Sequence, residues 1–378
     1  MTIFDRLFVG DKSLFDILVE EQKAYLKKLG EAKNDFARSY KQYKGQIYFM
    51  STKKKLFLVL VSAVLAPFLV TYLIVKGLFL RRGEKYDAIS RATYQNQFIV
   101  NSLLEKYDIN RSCWGQDAAA IHINDIGYVL HVIILYWHSP YLALKTVYKI
   151  AKYSALIYKH CPSAIIVNDE FSFTSSVLTD FCNRHHILQI NVMHGEKLFS
   201  LRDSYFRFDK CYIWDEHYKK LFVALNAEPE QFVVELPESM KFDLDRHYVR
   251  KYYADIKYYL GLYTEQEITA IVKSMETFMQ NGKTVKFRPH PNYSDMVLLR
   301  KYVREDQIEL PQVNILDSIS STQYVVGVYS TVLTQAYFNG QNVIIDDVSC
   351  IYQYEKLREL NYILIDRVKE RLSMYIKN

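Results

Sequence analysis

Lys286-Phe287-Arg288-Pro289-His290-Pro291 is the stretch on which the reading of this fold turns. A short apolar run ends in Arg-Pro-His-Pro, and because proline cannot donate to a β ladder, the strand stops there and His290 stands in the turn that follows. Further along, Gly327-Val328-Tyr329-Ser330-Thr331 repeats the arrangement at the start of a helical pattern that Asn339-Gly340 stops. Strands that run into turns and then helices are the signature of a parallel sheet covered on both faces.

Working outward, the second half of the chain offers strands over Ala254–Leu260, Thr284–Phe287, Tyr324–Val328 and Val343–Ile345, with helices over Thr264–Met279, Asp295–Val303 and Thr331–Phe338. The first half offers strands over Ala119–Ile123, Ser163–Val167, Leu188–Val192 and Lys210–Trp214. Between them lie a long aromatic helical run from about 129 to 159, a helix through about 183 and another over Glu216–Leu225. The second block begins near Val233, with Pro237 in the linker. The pattern predicts an α/β chain of two doubly wound, Rossmann-like domains facing a cleft, over 83–235 and 236–378.

Two domains also suit the 378 residues, half of them hydrophobic. The net charge of +6, from 48 basic and 42 acidic residues, is mild and dispersed; it suits an anionic membrane or nucleotide and argues against nucleic acid as a partner. Five widely spaced cysteines without a Cys-x-x-Cys pair give neither a disulfide framework nor a zinc site, as expected of a reduced, cytosolic chain.

One stretch departs from soluble composition. LFLVLVSAVLAPFLVTYLIV, Leu56 to Val75, carries no charge and is long enough as a helix to cross the hydrocarbon layer. Lys53, Lys54 and Lys55 precede it and Lys76, Arg81 and Arg82 follow, so the positive-inside rule gives no orientation. Cations at both ends suit a shallow or re-entrant helix on anionic lipid as well as a span, and Pro67 is a candidate kink. Residues 51–82 are therefore expected to be a membrane-associated helix, and residues 1–50 a solvated, amphipathic helical arm.

The candidate chemistry sits at strand ends. Helix N-terminal amides, hydroxyls and a protonatable histidine stabilise a leaving phosphate without metal, and His290, Ser330 and Thr331 supply such groups. An acceptor hydroxyl must also lose a proton. Asp169 and Glu170 end one strand, and neighbouring carboxylates can raise one another's pKa. His194 is the rival base in the next strand-end turn, where Gly195 permits close backbone approach and Glu196 follows. Asp243-Leu244-Asp245 has the form of a metal-binding pair, but two acids in a charged linker are commonplace; no metal and no cofactor is expected.

The order Asp169-Glu170, then Arg288-Pro289-His290-Pro291, then Tyr329-Ser330-Thr331 resembles the acidic, His-Pro and paired-hydroxyl motifs of bacterial GT-B sialyltransferases, including capsule polysialyltransferases and lipooligosaccharide sialyltransferases. That resemblance covers roughly 160 to 347 and implies an inverting, metal-independent glycosyltransferase. It would move sialic acid from CMP-sialic acid to a lipid-linked oligosaccharide of an O-antigen, capsule or lipooligosaccharide, at the cytoplasmic face of the bacterial inner membrane. Asp169 or Glu170 would be the base; His290 would assist CMP departure, and Ser330 and Thr331, with Arg288 and Tyr329, would hold the donor. Gly195 and Glu196 would line the acceptor side. Phe171 stands where that family has glycine, and Ser330-Thr331 where Ser-Ser is common.

A second set, His194-Gly195, His290-Pro291 and Tyr329-Ser330, resembles CDP-glycerol glycerophosphotransferases, membrane-surface GT-B enzymes in which His194 would be the base and the product a phosphodiester. Both resemblances imply a cytidine donor. A third possibility is a non-catalytic partner in a polysaccharide-assembly complex, for which the 15% aromatic content and 32 tyrosines would supply contacts.

Overall fold

The computed structural model describes residues 13–91 and 97–376. The chain forms two units, one of residues 1–194 and 199–237, the other of 195–198 and 238–378.

The first unit is built on a six-stranded sheet: β1 (Ala88–Ser90), β2 (Ile109–Asn110), β3 (Ala164–Val167), β4 (Leu188–Val192), β5 (Lys210–Ile213) and β6 (Phe232–Val234), in the order β2-β1-β3-β4-β5-β6. Every pairing is parallel. The run Ala-Ile-Ile-Val of β3 is buried at all four positions, as a strand covered on both faces requires. The second unit carries β7 (Ala254–Tyr259), β8 (Val285–Arg288), β9 (Thr322–Gly327) and β10 (Asn342–Ile345), again all parallel, in the order β10-β9-β7-β8. Its helix Glu265–Gln280 starts at a capping box between Thr264 and Glu267, and Asp295 caps Met296–Tyr302 by accepting from Val297 and Leu298 N–H.

Several sequence expectations need correction. Ala119–Ile123 is no strand: Ala120 N–H goes to the Ala151 carbonyl and Ile121 N–H to the Leu73 carbonyl, so this apolar run lies under helices. The strand in its place is β1, too short for an alternation to show. The long helical run is broken by Ser139-Pro140 into Ile126–Leu135 and Pro140–His160. Val233 pairs with Tyr212 as part of β6, the last strand of the first sheet, and opens no second block.

The helices Val19–Leu29 and Asp35–Tyr48 are no solvated arm. Gln22, Ser39, Gln42 and Tyr43 are buried, and Ser39 Oγ accepts from Val177 N–H at 3.2 Å. The apolar helix Thr52–Gly77 runs unbroken through Pro67, where Thr71 Oγ1 donates to the Pro67 carbonyl at 2.8 Å. It packs along Pro140–His160 and buries Leu58, Ser62, Leu73 and Gly77. A Cβ on Gly77 would fall 1.7 Å from the Ile121 carbonyl oxygen, so only glycine admits this approach. By length and composition the helix could cross a membrane, with a mean hydropathy of 2.6 in its most apolar window.

Candidate active site

In the first unit, β3 and β4 are neighbours, so the turns after them converge. Asn168 Nδ2 donates to the Val192 carbonyl and Asn191 Oδ1 accepts from Asp169 N–H, both at 2.8 Å, locking one turn to the other. The two rival bases thereby meet: His194 Nδ1 lies 3.1 Å from Glu170 Oε1, with the glutamate side chain 0% exposed and the histidine 15%. The contact is one of proximity: among the described residues His194 Nδ1 has no hydrogen-bond partner, and Glu170 bounds the ring on that side. Phe171, the residue that departs from the sialyltransferase pattern, meets the His194 ring edge-on at 5.8 Å and carries the Arg202 guanidinium over its own face.

Asp169 has a separate environment. Burial pushes its carboxyl up, but Lys149, which donates to Oδ2 at 3.0 Å, together with Arg91, outweighs burial and holds the pKa below the ordinary carboxylate value. Asp169 is thus a sequestered anion with its partner in place.

The sequence reading missed the residues that support this turn. Gln42 Nε2 donates to the Glu170 carbonyl at 2.9 Å and the Arg202 carbonyl at 3.2 Å, and Gln46 donates to the Phe171 carbonyl. No local pattern links a helix near the N-terminus to a turn so far along the chain. Only the buried polar face of Asp35–Tyr48, with Ser39, Gln42 and Gly45 on it, hinted that this helix meets backbone.

In the second unit, β7 lies between β8 and β9, so the turns bearing His290 and Ser330 are two strand spacings, about 10 Å, apart. Ser294 Oγ accepts from His290 N–H and donates to the Gly261 carbonyl, each at 2.8 Å, tying the His290 turn to the end of β7. Asn292 N–H donates to His290 Nδ1 at 3.1 Å, which puts the ring hydrogen on Nε2, and Tyr293 lies against the ring, tilted by 30° with centroids 4.4 Å apart. Partial burial lowers the His290 pKa. The ring therefore offers a neutral Nε2–H around neutrality.

Ser330 is the N-cap of Thr331–Phe338 and accepts from Val332 N–H at 3.1 Å. Leu333 and Thr334 N–H bond back to the Ser330 carbonyl at 3.1 and 3.5 Å, so the helix N-terminus offers the positive end of its dipole, which favours an anion. Tyr329 packs edge-on against Tyr362. Glu196 accepts from Thr334 Oγ1 at 2.5 Å, on the same helix. Gly195 has φ +64°, and a Cβ added to it would meet nothing within 4 Å, so it serves a left-handed turn and not a close approach.

Arg288 is spoken for. Its guanidinium donates to Glu309 Oε2 at 2.8 Å and the Val313 carbonyl at 2.7 Å, and Glu309 also binds the buried Lys257. Asp243 accepts from Asp245 and Arg246 N–H, so the Asp-x-Asp stretch caps a short helix.

No protein-family model matches the chain, and no curated protein does. Among solved structures, UDP-GlcNAc 2-epimerase from Neisseria meningitidis bound to UDP-GlcNAc gives a TM-score of 0.41 at 12% identity, over 68% of this chain and 81% of that one. The S. aureus MnaA–UDP co-structure gives 0.43 at 11% identity, over 75% and 88%. A variant of the wall teichoic acid polymerase TagF gives 0.39 at 10% identity, over 90% and 87%. At TM-scores this low, nothing about site or substrate follows. The class rests on the chain's own topology: two consecutive α/β units on all-parallel sheets, the GT-B fold class, with an apolar helix before the first.

Proposed function

We propose that the chain is a membrane-surface glycosyltransferase-type enzyme of the GT-B class that expels CMP from a cytidine-activated donor, with His194 as the base. The observation that carries this reading is the Glu170–His194 contact. Of the three candidate bases, Asp169 is ion-paired and Glu170 is wholly buried, while the histidine keeps an exposed edge. Glu170 beside the ring offsets the positive charge that the histidine acquires when it takes the acceptor hydroxyl's proton. His290 Nε2–H, the Ser330 hydroxyl and the positive end of the helix Thr331–Phe338 then stabilise the departing phosphate. Arg288 belongs to the scaffold.

A histidine base favours the resemblance to CDP-glycerol glycerophosphotransferases, so transfer of a polyol phosphate to a surface polymer becomes the first reading. Sialyl transfer from CMP-sialic acid to a lipid-linked glycan is the second; its base would have to be one of the two sequestered carboxylates. The non-catalytic reading is third; Tyr153, Tyr205, Tyr218, Tyr258 and Tyr362 are core residues and add nothing to a contact surface.

The membrane is the other half of the proposal. Thr52–Gly77 buries one face on its own unit, while Leu60, Val64, Phe68 and Tyr72 are exposed; so are Leu130, Ile134 and Trp137 on and after Ile126–Leu135. No acidic residue occurs between Asp35 and Glu84, whereas Lys53, Lys54, Lys55, Lys76, Arg81 and Arg82 do, a balance that suits an anionic leaflet. Such a surface favours one-sided seating in lipid at the cytoplasmic face of the membrane.

Calorimetric titration of the detergent-solubilised protein with CMP, CDP, UMP and UDP tests the donor. Cytidine-selective binding that weakens in His290→Ala is expected. A uridine preference would overturn the cytidine donor, and absence of any nucleotide binding would overturn the enzyme.

A further inference from the structure

The strand order of the first sheet reverses between β1 and β3, and in open parallel sheets the crevice at the carboxyl ends of such a pair is where ligands bind. Arg91 directly follows β1, and Asp169 closely follows β3. Into the same place the helix Pro140–His160 projects Lys145 and Lys149, one turn apart on a single face.

The charges there do not balance. Lys149 is ion-paired with Asp169. Lys145 has its ammonium 4.2 Å from the centre of the Phe173 ring, and among the described residues no carboxylate lies within ion-pair distance of it. Burial, with Lys149 beside it, lowers the Lys145 pKa to about 8, Asp169 acting the other way. A cation held beside a second cation without its own counter-ion is costly, and such cost persists in a fold where a ligand offsets it. The Phe173 face is a partner for the ammonium, but a ring carries no net charge and does not neutralise the cation.

We propose that Lys145, Lys149 and Arg91 form the seat of an oxyanion, a phosphate or carboxylate carried by the acceptor. As an acceptor site the seat rests on the transferase reading above; as an anion site it stands alone. Its cations would draw the acceptor's charged group to the end of β1 and β3, with the Glu170–His194 pair in the turn beside it. Lys145 and Lys149 are positioning residues: they bind the acceptor without touching the reacting atoms.

The test is calorimetric titration of the full-length protein, with CMP present to fill the donor's phosphate site. The probes are sn-glycerol 3-phosphate, N-acetylneuraminic acid and neutral glycerol. The expected result is binding of an anion and not of glycerol, weakened about tenfold to a hundredfold in Lys145→Met and largely kept in Lys145→Arg. Preference for the phosphate or for the carboxylate identifies the acceptor's charged group. In the wild type, affinity should fall as pH rises through the lysine's titration, with Lys149 and Asp169 as the charged groups acting on it; in Lys145→Arg it should stay level. Failure of the wild type to bind either anion, or equal binding by Lys145→Met, overturns the seat. Loss of CMP binding with anion binding intact overturns the transferase reading alone.

Discussion

The two strand-end sites are built in opposite ways. At β8 and β9, His290 and Ser330 satisfy their hydrogen bonds within a few residues: His290 with Asn292 and Ser294, Ser330 with Val332. At β3 and β4, Asp169, Glu170 and His194 depend on Asn191 of β4 and on Lys149 and Gln42, brought in from two helices far apart in the chain. The lesson is about cost. A half-exposed, locally bonded site tolerates substitution of its chemistry without loss of fold, whereas a buried network holds its charges only while every partner is present.

The sharpest way to break the comparison is His194→Ala, expected to lower turnover by about a thousandfold or more while leaving CMP affinity nearly unchanged. Near-normal turnover would make the buried network pure scaffold. Next comes Lys149→Met, expected to destabilise the protein by about 3–5 kcal/mol by stranding the Asp169 charge.

The sign of its pH dependence is a second readout. Asp169 has a folded pKa below its unfolded one, so its contribution is present above the unfolded value and lost as pH falls through the folded value. Without Lys149, burial dominates and raises the folded pKa, so this site's contribution improves on acidification. Melts of wild type and variant across the acid range should diverge accordingly, and parallel curves would refute the pairing.

His290→Ala should cost about a hundredfold to a thousandfold in turnover and leave the melting temperature almost unmoved. A large drop in stability there would erase the contrast between the sites. The smallest effect is Ser330→Ala, about 1 kcal/mol of stability from the lost cap. A turnover loss well beyond that figure would mean the hydroxyl also reaches the donor phosphate.

What could be read beforehand follows the same division. Arg-Pro-His-Pro and Tyr-Ser-Thr were legible because prolines, a glycine and an N-cap act within a few residues. The strands flanking them were legible because a buried parallel strand is a continuous apolar run. Arg288 misled because a strand-end arginine beside a candidate histidine looks like a ligand group until Glu309, from another loop, takes it. The N-terminal helices misled because an amphipathic pattern reads the same whether its polar face meets water or the backbone of the Glu170 turn.

The sequence by itself therefore determined the α/β class, the apolar helix and the places where turns would present His290, Ser330 and the acidic pair, since each depends on short-range periodicity and stereochemistry. Only the tertiary structure decided that Glu170 lies beside His194, that Asp169 belongs to Lys149, and that Lys145 meets an aromatic ring where Lys149 meets a carboxylate. Those facts are sums of burial and Coulomb interaction over groups far apart in the chain, and no local pattern encodes which of them will be neighbours.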